Sequence, residues 1–279
     1  MGRRQQAANL GVTSRIIETT DQGIFAVDDF QNAVVSDDVG LVVLAATHHE
    51  TGVKTDLRSL ADLCDERRIP LLVDGAHGEH DADEIWKHKG VSALAMGGHK
   101  IGGPTGTGTL LLREGIPFVP WLRGGHQENE KRAGTEAVVT IAGFVEALQQ
   151  VRQRKEEIFC AQSEAQQHFE QRLRGELKGV HIFGSWVPRA PSVTMAAISA
   201  VPARRLIDWL DGEGFTISAG AACTAARQES SSALMAMGYS RDQVSEAFRV
   251  SYGFSPNKMG VDALADRIIT FAHKERGEK

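Results

Sequence analysis

Four short apolar runs between residues 41 and 112 alternate with amphipathic or glycine-rich stretches, and no other feature restricts the fold as much. Residues 41–46 read as a strand buried on both faces, because the apolar residues are continuous rather than alternating. Leu57, Leu60, Ala61 and Cys64 then recur at helical spacing, with Asp56, Arg58, Asp62 and Asp65 on the other side. Residues 70–73, 93–96 and 109–112 supply three more strands. Strands alternating with helices predict an α/β layer around a mainly parallel sheet. Ligands of such sheets sit beyond the carboxyl ends of the strands. His48, His49, Glu50, Asp74 and the stretch around Lys100 would project there.

Residues 137–173 hold no proline and a single glycine, Gly143, and read as a long helical bridge. Beyond them come apolar runs at 180–183, 192–195 and 215–217, a helix at 202–210 and a last helix after Pro256. The expected organisation is a large sheet domain over residues 1–157 and a small α+β domain over 158–279. With 42% hydrophobic and 24% charged residues, the chain can bury an ordinary core. A net charge of −5 offers no basic field, and Arg3-Arg4 is too short to form one, so no nucleic-acid partner is expected. No apolar run approaches the roughly 20 residues of a membrane span, so no membrane association is expected. The first residues lack the apolar centre of a signal peptide, and Gln6 stands where a myristoylation site needs Ser or Thr. A cytoplasmic location is the expectation.

The three cysteines, Cys64, Cys160 and Cys223, form no CxxC pair and no zinc spacing with histidine. Cys64 and Cys160 read as structural, and His80, His88 and His168 as surface residues. No metal site is expected. Chemistry concentrates in segments that follow one another in order. His48-His49-Glu50-Thr51-Gly52 comes first, then Val73-Asp74-Gly75-Ala76-His77. Gly97-Gly98-His99-Lys100 precedes a glycine-rich turn, and Gly124-Gly125-His126-Gln127-Glu128 leads to Arg132-Ala133-Gly134-Thr135. Ser218-Ala219-Gly220-Ala221-Ala222-Cys223 and Arg249 before Ser251 and Gly253 complete the series.

This series resembles the cysteine desulfurase branch of the class V aminotransferase family. That branch reads NNETG, VDAxQ, S-x-H-K before G-P-x-G, GGxQE, RxGTxN, SGSAC and an Arg before S-x-G. The resemblance implies a fold-type-I transferase dependent on pyridoxal 5'-phosphate, an electron sink that the protein holds covalently on a lysine. Lys100 takes that place and Asp74 faces the pyridine nitrogen. His99 assists proton movement or tunes the lysine. His49 and His77 lie near the cofactor's phenolic oxygen, His49 also toward substrate. Arg249 clamps the substrate carboxylate in a bidentate pair. Cys223 attacks the sulfur of bound L-cysteine as a thiolate and is left with a persulfide, alanine being released. That sulfur serves cofactor synthesis, iron–sulfur cluster assembly or tRNA thiolation through a sulfur-acceptor protein. Thr135 resembles the threonine that reaches the cofactor phosphate of the other subunit, which implies a homodimer.

The family pattern carries Asn at position 49, Gln at 77 and Ser at 97, where this chain has His49, His77 and Gly97. An imidazole donates to a phenolic oxygen as an amide does, but its charge follows pH. Gly97 lacks the hydroxyl that would meet the phosphate. Family members also begin with a strand, a glycine/threonine loop for the phosphate and a histidine that stacks on the ring, and this chain begins after all three. A second polypeptide supplying that part, a fragment and a lost site are all compatible with the sequence. Two rival readings stay open: a class V aminotransferase or lyase for another amino acid, and a non-catalytic subunit.

Overall fold

The computed structural model describes residues 11–36, 38–77, 81–220 and 231–278. Cys223 and His80 lie outside the described residues. The first sheet has the order β1-β2-β3-β4, formed by β1 (Val42–Ala45), β2 (Leu71–Asp74), β3 (Ala93–Gly97) and β4 (Gly108–Leu112). The first three strands are parallel and β4 runs antiparallel to β3. Helices α1 (Val27–Val34), α2 (Leu57–Glu66) and α3 (Ala82–Lys87) fill the connections. Phe30, Leu60, Ala61 and Cys64 pack in one core with Leu71, Val73 and Leu94, as the helical spacing of the α2 residues predicts. Each buried Leu, Val or Phe side chain among them stabilises the fold by about 1.5–3 kcal/mol.

The expectation that residues 41–46 are buried on both faces needs correction. Burial alternates along β1, and Val43 keeps 50% of its surface exposed. The three helices cover only the face that holds Val42, Leu44, Leu71 and Val73. Pairing of Ala45 with Asp74, Asp74 with Ala95, and Ala95 with Leu110 puts these residues on the face that Val43 shares. Two edges of the sheet, along β1 and β4, are unpaired among the described residues.

The second sheet is antiparallel, in the order β5-β6-β7, formed by β5 (Val180–Ile182), β6 (Val193–Ile198) and β7 (Ala247–Ser251). Here the continuous apolar run is buried on both faces. Helices α5 (Lys155–Glu176), α6 (Ala203–Gly212) and α9 (Lys258–Arg276) pack Phe169, Leu206 and Ile268 against Ile198 and Phe248. Phe183 and Met195 face Leu234 of α7 (Ser232–Ala236) and Val244 of α8 (Arg241–Ser245) on the other side. Helix α4 (Val138–Gln153) precedes α5, so the long helical bridge is two helices meeting at Arg154. Residue 157, the expected divide, lies in the first turn of α5. Residues 215–217 form no strand; the chain there only bridges Ser218 to Arg249.

The two halves are stitched through their backbones close to the end of β1. Ala190 N–H donates to Gly52 at 2.7 Å and Lys54 N–H donates to Pro188 at 2.9 Å. A buried network stands beside this seam. Arg189 forks onto Glu170 with two bonds of 3.0 Å, Thr194 donates to Glu170 at 2.8 Å, and the Tyr252 hydroxyl lies 3.1 Å from Thr194. Paired in this way, both charges can stay buried.

Candidate active site

Each parallel strand of the first sheet leads to chemically active residues at its carboxyl end. β1 leads to His48, His49 and Glu50, β2 ends on Asp74, and β3 runs into a 3-10 turn, Gly98–Ile101, that carries Lys100. The second sheet contributes Arg249 from β7. A cleft of about 200 Å³ lies between the halves, and His77, Lys100, Arg249, Lys54, Tyr252 and Phe254 are among its walls.

Asp74 closes β2 with its own turn, Oδ1 accepting the Ala76 N–H at 3.1 Å. This turn sends the chain back toward the cleft, where the His77 ring is half-buried. Its Nε2 has no hydrogen-bond partner among the described residues. Burial, then the charges of Lys100 and Arg249, pull His77 down to about 4. His48 is also pulled down to about 4, first by burial and then by His49. Geometry agrees: Thr51 N–H lies 3.3 Å from His48 Nδ1 and can only donate, so that nitrogen accepts and carries no proton.

Arg249 is held from two sides. Its backbone exchanges bonds with Ser218, and its Nη1 donates to the His49 carbonyl at 3.0 Å. Its Nε is buried and lacks a partner among the described residues. Burial lowers the guanidinium below its ordinary value while Glu50 acts the other way. Two cationic groups, Lys100 and Arg249, thus converge on one cleft with the neutral His77 ring, and His77 Nε2 and Arg249 Nε have no partner among the described residues. Such a cluster is a ready receptor for an anionic ligand.

Among the predicted site residues, the structure brings Lys100, His77 and Arg249 together on the cleft, with Asp74 and His49 on adjoining strand ends. His99 follows β3 and is exposed, its ring beside Gly97. Thr135 is exposed on the segment between β4 and α4. Cys223 lies outside the described residues, between Gly220 and Ser231. Cys64 is fully buried, and burial raises its thiol to about 11, which fits the structural role expected of it. Cys160, read as structural, is exposed on α5 because its helix turns that position away from the small sheet. His88 and His168, read as surface residues, are half-buried beside Asp62 and Asp262.

Sequence reasoning gave no role to Lys54 or Tyr252, both in the cleft wall. Lys54 pairs with Asp81 at 2.5 Å. A lone lysine inside Val53-Lys54-Thr55 carries no signal of this placement. Nor was Glu50 singled out, although it lies in the motif that was read and is almost fully buried.

A strand-end lysine, a strand-end carboxylate and an arginine from a second sheet define a member of a known enzyme class, and residues 3–264 match the family model Aminotransferase class-V. The chain belongs to the class V aminotransferase family. It is 27% identical over 265 residues to a cysteine desulfurase of Nostoc sp. (strain PCC 7120 / SAG 25.82 / UTEX 2576), covering 95% of this chain and 65% of that protein. Similarity to the cysteine desulfurase NifS of Azotobacter vinelandii is 28% over 237 residues, 85% of this chain and 58% of that one. The chain therefore spans less than two thirds of the length of these relatives. Among solved structures, a NifS-like protein from Rickettsia africae ESF-5 superposes with a TM-score of 0.85 at 21% identity, covering 98% of this chain and 72% of that chain. The cysteine desulfurase CsdA from Escherichia coli gives 0.78 at 19% identity, over 97% and 68%. These likenesses show a fold-type-I architecture for the two sheets.

Proposed function

We propose that this chain carries the pyridoxal-phosphate site of a cysteine desulfurase, which converts L-cysteine to L-alanine and passes the sulfur to an acceptor protein. The observation that carries the reading is the convergence of Lys100, His77 and Arg249 on one cleft, beside the Asp74 strand end. The residues fit the cofactor: the unpartnered His77 Nε2 is a donor for a phenolic oxygen, and the Asp74 carboxylate stands at a strand end where a pyridinium would meet it. Lys100 would hold the cofactor covalently, His77 and His49 would flank its oxygen, and Thr135 of a second copy would reach its phosphate. When bound, the cofactor supplies an electron sink.

The chain's own groups then have separable tasks. Arg249 binds the substrate carboxylate with the donor edge left unpaired in the fold. Lys100 would hold and move protons at the substrate's Cα and Cβ, with His99 next to it in the chain. The Cys223 thiolate forms an S–S bond to the substrate sulfur as the Cβ–S bond breaks. The electron pair stays on Cβ, which takes a proton to become the methyl of alanine. The neutral His77 keeps an N–H to donate without adding a further charge among Lys100 and Arg249.

A homodimer and an additional strand belong to the same reading. The open edge of β1 and the exposed Val43 face support a further covering element, from another part of the protein or from a second polypeptide. Visible absorption of the chain mixed with pyridoxal phosphate, compared with Lys100→Ala, tests the core of it. A band that needs Lys100, with sulfide release that Cys223→Ser abolishes, is the expected result. A band with activity that survives Cys223→Ser identifies an aminotransferase or lyase instead, and no band in either protein removes the cofactor site.

A further inference from the structure

Glu50 lies in the chain 181 residues from Ser231, yet the two side chains meet in the interior. The Ser231 hydroxyl accepts the Leu234 N–H at 3.1 Å as the N-cap of α7, so its proton points to Glu50 Oε2, to which it donates. The same Oε2 borders Gly220: a Cβ placed there would stand 3.3 Å from it, in a backbone with φ +87°. The other oxygen lies 3.7 Å from His49 Nε2, and Arg249 feels the charge. One carboxylate, 3% exposed, thus bonds Ser231 after the segment 221–230, leaves little room for a side chain at Gly220 before it, and sits at the strand end beside the cofactor site.

We propose that Glu50 is a positioning residue that fastens Ser231, which follows the Cys223 segment, to the end of β1, with Gly220 at the other end of that segment packed close to the same carboxylate. The proposal rests on the desulfurase reading for its catalytic consequence but not for the anchoring itself. A buried bond to a charged acceptor contributes more than a neutral one, and its loss leaves a partner unsatisfied. Chemistry that depends on bringing one sulfur to another is sensitive to misplacement by about 1 Å, at a cost of roughly 10²-fold. Lys100 and Asp74 belong to other strands, so cofactor attachment is independent of the anchor.

The test compares Glu50→Ala, Glu50→Gln and Ser231→Ala in the full chain, first without cofactor. Trypsin cleavage after Arg227 should quicken about tenfold or more in Glu50→Ala and Ser231→Ala, because Ser231 loses its tie to β1 and local unfolding around it costs less. Glu50→Gln keeps an acceptor for Ser231 and should stay close to wild type. In the cofactor-loaded protein, Ser231→Ala should keep the Lys100 band and KM while kcat falls about tenfold or more. Ser231→Ala leaves Glu50 beside Arg249 and His49, so it separates anchoring from any effect on carboxylate binding. Unchanged cleavage in both Ala variants, with far-ultraviolet circular dichroism intact, overturns the anchor. A rise in KM at constant kcat overturns its role in sulfur delivery. Absence of the Lys100 band in wild type strikes the functional reading instead, and the cleavage comparison still decides the anchor.

Discussion

Burial and the charges of Lys100 and Arg249 keep His77 neutral in the fold, with a pKa near 4. The unfolded chain holds that proton with a pKa of about 6.5, so between pH 6.5 and 4 it binds more protons than the folded chain. Stability contributed by the depressed value is present above 6.5 and is lost as pH falls toward 4. Removal of this one group by His77→Gln should flatten the fall in unfolding free energy between pH 7 and 4.5 by on the order of 2 kcal/mol. Urea titrations at the two pH values measure it, and equal slopes in wild type and variant would contradict it. His48 remains in the variant and keeps its own share, since its half-buried ring accepts the Thr51 N–H. The strand-end placement of Asp74 and Lys100 was legible in the sequence because each follows an apolar run, whereas Arg249, in the middle of β7, was singled out by resemblance alone. The half-burial of His88 and His168 was not: their partners Asp62 and Asp262 lie 26 and 94 residues away, and spacing carries no trace of such contacts.

At the scale of elements, apolar runs located the strands but did not say which faces would be covered. Residues 193–198 and 41–46 look alike as sequences, yet β6 lies between two helical layers while β1 has one. Coverage depends on what packs from elsewhere, which a strand's own composition does not encode. The layer that does cover β1 is set closely. At Gly90, between α3 and β3, an added Cβ would lie 2.0 Å from the Ala61 carbonyl oxygen of α2. The obstacle is backbone in a helix whose apolar face is buried, so it cannot swing aside as a side chain would. Gly90→Ala should force α2 off the sheet and destabilise the chain by about 1–3 kcal/mol, as overpacking does. Thermal unfolding followed by circular dichroism measures this. A melting temperature equal to wild type would mean that α2 is seated more loosely than the contact implies.

At the scale of the molecule, the segment between β4 and α4 stands out because it builds no core of its own. Its residues are nearly all exposed, Trp121 at 86%, and Val139 in the adjoining first turn of α4 is as open. Three successive non-glycine residues, Glu128, Asn129 and Glu130, adopt left-handed backbone conformations with φ of 50°, 53° and 64°. Each costs about 1–2 kcal/mol unless contacts repay it, and within this chain the segment has few to offer. A large apolar surface on a strained segment marks a protein interface. Thr135, given to the phosphate of a second copy by resemblance, lies on the same segment, so the second copy proposed above would serve both observations. Trp121→Ser combined with Val139→Ser should therefore turn a dimer into a monomer in sedimentation velocity at micromolar concentration. It should also weaken retention of pyridoxal phosphate, because Thr135 would no longer reach its neighbour. A wild-type chain that sediments as a monomer removes the dimer. A variant that stays dimeric moves the interface to another face and separates Thr135 from it.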